Sequence, residues 1–299
     1  MTPLYLLAFD HRSSFSRDLL GIEGTPTAAE AARVADAKLV VYEGFEAALA
    51  DGVARGPAGI LVDEEFGAEI ARRAHSAGVA LAMPVEKSGR AEFEFEFGDG
   101  FGRHIEAFDP TYAKVLVRYN PEGDVELNRR QAERLHELSE WLRANDRKLL
   151  FELLVPPTPE QLDHVSGNAA RYDAVLRPGL VAWTIRELQA AGVESDIWKI
   201  EGFERREDCL LASQRARAEG RDHVSCIVLG RGADADRVGH WLREAAGVPG
   251  FSGFAVGRTL WWNELVAYVR GDVDRAVAAL RIAHNYRRMI QVYEGANGA

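Results

Sequence analysis

The chain has 299 residues, 47% apolar and 27% charged, an ordinary globular composition and a length that suits one large domain or two small ones. A net charge of −10 argues against nucleic acid or an anionic membrane as a general partner. The two cysteines, Cys209 and Cys226, give no disulfide framework, no apolar run approaches the roughly 20 residues of a membrane span, and Met1-Thr2-Pro3 enters an apolar run without the regions of a secretion signal, so a cytoplasmic protein is expected.

Eight short apolar runs alternate with helical patterns. The chain opens on a strand at Leu4–Phe9, followed by a helix over Thr27–Asp51, where Thr27 and Glu30 have capping-box spacing. A strand at Gly59–Val62 precedes a helix over Phe66–Ala77, and a strand at Val79–Met83 precedes a long connection from Ser88 to Pro110. That connection contains Phe93-Glu94-Phe95-Glu96-Phe97, read as a small hairpin over the barrel mouth; the alternative is a lid hinged at Gly98, Gly100 and Gly102. Strands follow at Tyr112–Val117 and Lys148–Val155, with a helix over Asn128–Asn145 between them and a proline-led helix start at Thr158-Pro159. The last strands are Ile197–Ile200, Val224–Leu229 and Gly253–Val256. Helices over Pro178–Ala191, Arg205–Glu219, Ala233–Ala246 and Val273–Tyr293 complete the series, with Gly78, Gly192 and Gly220 as stops.

Strict alternation of strand and helix predicts parallel strands with helical crossovers. Eight repeats, and no glycine-rich turn after the first strand, favour a closed (β/α)8 TIM barrel over a Rossmann-like sheet. One domain over residues 1–299 with a long third βα loop is expected. The last helix is left free to pack on its own barrel or on a second subunit of a homo-oligomer.

Catalytic groups of such barrels sit at the C-terminal strand ends. Those ends offer Asp10, Asp63, Glu86 with Lys87, Lys114, Glu152, Lys199 with Glu201, Arg231 and Arg258. Of the 36 lysines and arginines only five are lysine: Lys38, Lys87, Lys114, Lys148 and Lys199. Arginine cannot serve as an amine nucleophile, so each lysine position carries information. Strand alternation points Lys114, Glu152 and Lys199 into the barrel from strands four, five and six. A charge within an apolar strand is costly unless paired, so a Lys–Glu–Lys row is expected, in which desolvation and the second ammonium depress a lysine pKa for Schiff-base formation. A buried ion-pair network that only fills the barrel is the other reading of these three residues.

Strand seven ends in Gly230-Arg231-Gly232 and strand eight in Gly257-Arg258. Glycine amides, helix N-termini and arginine forks suit a phosphate at these two loops. The eight histidines form no H-x-H or H-x-x-x-H pair, so neither a metal nor any other cofactor is expected.

These residues also carry a resemblance. Asp10-His11-Arg12, Leu61-Val62-Asp63 with Glu65-Phe66-Gly67, Glu86-Lys87-Ser88-Gly89, Lys114 to Tyr119, Phe151-Glu152 and Trp198-Lys199-Ile200-Glu201 follow the order of the tagatose-bisphosphate aldolases and the related sulfofructose-phosphate aldolases. A closer likeness runs through Glu86 to Gly89, Ile105 to Pro110, Val117 to Pro121, Glu152 to Pro157 and Val256 to Thr259. It resembles the aldolase-like domain fused to the sugar kinase of bacterial inositol catabolism.

The resemblance implies a class I aldolase with Lys199 as Schiff-base lysine, Glu152 as acid/base, Lys114 as a second lysine and Asp10 beside them. From their places at the strand exits, Arg12, Asp63, Glu86, Lys87 and Glu201 are expected to contact substrate, and Gly230, Arg231, Gly257 and Arg258 to hold its phosphate. The expected partner is a small phosphorylated keto-sugar, with 2-deoxy-5-keto-gluconate 6-phosphate implied by the kinase. Asp10-His11-Arg12 departs from the Asp-Gln-Arg common in the tagatose group. The alternatives are an aldolase for another ketose phosphate, a sugar-phosphate isomerase or epimerase, and a non-catalytic metabolite-binding barrel.

Overall fold

The computed structural model describes residues 2–297. Eight strands form the centre: β1 Leu4–Ala8, β2 Ala58–Leu61, β3 Ala80–Pro84, β4 Tyr112–Arg118, β5 Lys148–Leu154, β6 Ile197–Glu201, β7 Ser225–Leu229 and β8 Phe251–Val256. They pair in parallel in chain order, and β8 returns to β1, which closes the barrel. The chain is therefore a single-domain (β/α)8 barrel, as its alternation of elements predicts.

Side-chain parity follows the strand period of two. Leu6, Ala8, Leu150, Ile197, Ile227 and Ala255 fill the interior. Tyr5, Leu7, Val115, Phe151, Trp198 and Ile200 point outward into the layer shared with the helices. Lys199 lies on the same face as Ile197, and register sets it beside Glu152 of β5.

The helix signals resolve into real ends. Thr27 caps helix Ala28–Ala50 with both halves of the capping box present, and Thr158 caps Pro159–His164 in the same way. Gly78, Gly192 and Gly220 take the left-handed conformation expected of stops. The last helix, Arg275–Asn297, packs on Ala28–Ala50 of its own chain, where Gly44 lies so close to Ile282 that a Cβ would come within 2.7 Å. Among the described residues no helix is long and apolar enough to cross a membrane.

The connection after β3 forms less sheet than a hairpin. Lys87 N–H donates to Glu94 (2.8 Å), Glu96 N–H donates to Val85 (3.0 Å), and the pairing ends there. The alternation of Phe93 to Phe97 serves another purpose. Phe93, Phe95, Phe101 and Trp141 pack in succession with centroids 5.1, 4.3 and 5.7 Å apart, edge-on at the first and last contacts and stacked at the middle one. On the opposite side Glu92 is held by Arg130 and Arg134, and Glu96 by Arg12.

Candidate active site

A cavity of about 480 Å³ opens at the C-terminal ends of the strands. Its lining comes from β1, from β4 through β8 and from the exit of β3, with no residue from β2 or its exit. At its floor stand Lys114, Glu152 and Lys199, which are 1%, 5% and 2% exposed. Adjacent strands deliver them, and inward parity at each strand brings their head groups together. Glu152 Oε2 lies 2.9 Å from Lys199 Nζ and 3.0 Å from Lys114 Nζ.

Lys114 has two further partners. Its ammonium donates to Asp10 Oδ2 at 2.9 Å and to Glu86 Oε1 at 2.8 Å, from the exits of β1 and β3. The row is therefore branched: Lys199 meets one carboxylate and Lys114 meets three.

This geometry sets the charge states. Burial alone would lower the Lys114 pKa, but Asp10, Glu152 and Glu86 outweigh it and push it well above the ordinary value. Burial would raise Glu152, yet Lys114 and Lys199 hold its carboxyl below the usual range. Asp10 follows the same pattern, with Lys114 and Lys199 overcoming desolvation. At Glu86 burial prevails over Lys114 and Arg12, and its pKa rises. The expected depression of a lysine by its neighbour does not occur at Lys114, because three carboxylates surround it.

His11 lines the same cavity. Burial, with help from Arg258, Lys38 and Lys199 and against Asp10, pushes it down to about 4. Its Nδ1 is buried without a hydrogen-bond partner, and its ring meets Trp261 edge-on. The ring is therefore neutral at pH 7.

The other predicted residues divide. Lys87, Gly230, Arg231, Gly257 and Arg258 line the cavity. Gly257 has to be glycine, since a Cβ would sit 2.5 Å from the Ala8 carbonyl oxygen. It opens helix Arg258–Arg270, whose N-terminus carries no side-chain cap. Both loop arginines are already paired: Arg231 with Asp173 (2.7 Å) and Glu201 (2.9 Å), Arg258 with Asp18 (3.0 Å).

Glu201 does not line the cavity; it anchors Arg231, and Arg177 Nη1 stands 4.0 Å away. Arg12 lines the wall, but its guanidinium is engaged by the Glu86 carbonyl (2.6 Å) and by Glu96 (3.0 Å). Asp63, expected at the mouth, lies elsewhere. β2 ends at Leu61, and Asp63 becomes the N-cap of helix Glu64–Ser76, accepting from Phe66 N–H. An N-cap carboxylate turns back toward its own helix, and here its second oxygen takes the buried ammonium of Lys38.

Arg17, Arg90 and Arg118 also line the cavity and escape the sequence reading. Arg118 follows the inward parity of Lys114 and Leu116, a signal that was available. Arg90 lies in the long third connection, where no periodicity assigns a direction.

Solved structures with a similar fold include aldolases. An archaeal fructose 1,6-bisphosphate aldolase has 17% identity and a TM-score of 0.58, covering 98% of this chain and 94% of that one. A Schiff-base-forming fructose-1,6-bisphosphate aldolase has 16% identity and a TM-score of 0.57, covering 97% and 94%. A fructose-bisphosphate aldolase from Slackia heliotrinireducens has 14% identity and a TM-score of 0.58, covering 98% and 86%. At these identities the likeness is one of fold. No curated protein matches the sequence. The model of the family described as "Uncharacterized protein conserved in bacteria (DUF2090)" matches residues 1–297, and the chain belongs to that family.

Proposed function

We propose that this protein is a class I aldolase acting on a phosphorylated keto-sugar or keto-sugar acid. The observation that carries the reading is that, among the described residues, Lys199 is paired with Glu152 alone, while Lys114 is held by three carboxylates. Only an unprotonated amine attacks a carbonyl. Lys114 is fixed as a cation, and Lys199 is the lysine free to act.

In this reading Lys199 gives a proton to Glu152 and attacks the ketone carbon to form a carbinolamine. Glu152 returns a proton to the departing hydroxyl, water leaves, and an iminium forms. A base then takes the proton of the hydroxyl on the far carbon of the bond to be broken, the carbon that becomes the aldehyde. The electrons of that carbon–carbon bond move into the iminium, an aldehyde departs and an enamine remains. Protonation of the enamine and hydrolysis release the second ketone and restore Lys199. Lys114 stays cationic and supports the developing charge on Glu152 and the substrate oxygens. Asp10 contacts a substrate hydroxyl and orients Lys114.

The glycine amides at Gly230 and Gly257, the uncapped start of helix Arg258–Arg270, and Arg231 and Arg258 suit a phosphate. With the likeness to the inositol-pathway domain, this favours 2-deoxy-5-keto-gluconate 6-phosphate, cleaved to dihydroxyacetone phosphate and malonate semialdehyde. Borohydride reduction in the presence of dihydroxyacetone phosphate, followed by peptide mass mapping, tests the reading. An adduct on Lys199, absent in Lys199→Met and formed in excess chelator, is expected. No adduct on the wild-type protein, or full activity in Lys199→Met, would overturn it.

A further inference from the structure

We propose that Lys38 is a positioning residue for this site: its ammonium grips the backbone on both sides of Asp10 and so sets where the Asp10 carboxylate meets Lys114. The role in turnover rests on the aldolase reading; the positioning itself does not. Lys38 lies in helix Ala28–Ala50, 0% exposed and outside the barrel wall. Its Nζ donates to the carbonyl of Phe9 at 2.8 Å, to the carbonyl of His11 at 2.8 Å, and to the Asp63 carboxylate. An ammonium has three donors, and all three are used.

The two carbonyls flank Asp10. β1 ends at Ala8, and the next sheet bond is Phe9 N–H to the Leu61 carbonyl at 2.8 Å. Beyond it the segment runs past the end of β2 into helix Ser13–Leu20 with no strand beside it. The buried carbonyl of Phe9 and the part-buried carbonyl of His11 need donors there, and Lys38 supplies both from one atom. A buried ammonium is costly without a counter-charge, which explains Asp63 at this position. Asp63 is in turn tied to Phe66 N–H at 2.9 Å. A line of contacts thus runs from the start of helix Glu64–Ser76 through Asp63, Lys38 and the Asp10 backbone to Lys114. The aromatic rings of Phe15 and Phe66, 5.2 and 5.8 Å from Nζ, close the slot.

The test is a double-mutant cycle of Lys38→Met with Asp10→Asn, read in turnover and in thermal stability. Lys38→Met should lower kcat about tenfold to a hundredfold, as a shift of about 1 Å in a catalytic group does, with KM changed by less than about twofold. In the Asp10→Asn background it should lower kcat by no more than about twofold further. Asp10→Asn should also move Tm less than half as far in Lys38→Met as in the wild type. Full additivity in either readout, or an unchanged kcat in the single variant, overturns the proposal. If Lys38→Met does not fold, Lys38→Gln, a shorter neutral side chain with two donors in place of three, carries the same cycle. Trapping at Lys199 in the wild type tests the aldolase reading by itself. Should that adduct be absent, the Tm cycle still decides whether Lys38 positions Asp10.

Discussion

Replacing Lys114 by methionine removes the one cation that three buried carboxylates share. Its Nζ stands 2.9 Å from Asp10, 2.8 Å from Glu86 and 3.0 Å from Glu152. After the change Glu152 keeps Lys199 at 2.9 Å, and Glu86 keeps Arg12 at 4.0 Å. Asp10 is left without a paired cation. Removing one partner of a buried ion pair costs about 3–5 kcal/mol, a large share of the roughly 5–15 kcal/mol that holds a domain together. Melting at pH 8 should fall by roughly 10 °C.

The deficit should depend on pH with a definite sign. In the wild type Lys114 holds Asp10 and Glu152 below their ordinary values. Their contribution is present above those values and is lost only as pH falls through the depressed ones. In the variant the depression is gone and the buried carboxyls take up protons at higher pH. The gap between variant and wild type should therefore be widest at pH 8 and narrow toward pH 5. Denaturant unfolding at the two pH values measures it. A deficit below about 1 kcal/mol at pH 8, or one of equal size at both pH values, would refute the assigned electrostatics.

Glu152→Gln should lower kcat about 10²- to 10⁴-fold, the usual worth of a general acid–base, with circular dichroism unchanged. The His11 ring should titrate by NMR near pH 4, since burial holds it down from 6.5 to about 4. Because the unfolded chain takes that proton first, up to about 3 kcal/mol of stability is lost as pH falls from 6.5 to 4; His11→Gln should flatten that part of the curve. Gly257→Ala should cost about 1–3 kcal/mol by overpacking against the Ala8 carbonyl, visible as a lower Tm. Arg258→Ala should raise KM for the phosphorylated ketone about tenfold with kcat little changed, as loss of a charge-assisted hydrogen bond does.

Much of this molecule is determined by relations between near neighbours in the chain. A strand's alternation spans two residues and a helix's about four, so the eight strands, the caps at Thr27 and Thr158 and the glycine stops can be read locally. The same parity turns Lys114, Glu152 and Lys199 inward, and strand order alone makes them adjacent. What surrounds them cannot be read this way. Glu86 reaches Lys114 across 28 residues of sequence from the neighbouring strand, but Asp10 reaches it across 104, and only barrel closure brings the β1 exit to β4. Closure makes Lys114 a fixed cation with three partners and leaves Lys199 with one. Asp63 and Lys38 show the same limit from the other side. Each looks like a mouth residue or a surface charge, yet the turn after β2 and the inner face of helix Ala28–Ala50 bury them together. The sequence determines which way each side chain points along its element; the tertiary structure decides which charge it meets, because ion pairing depends on distances that span the whole barrel.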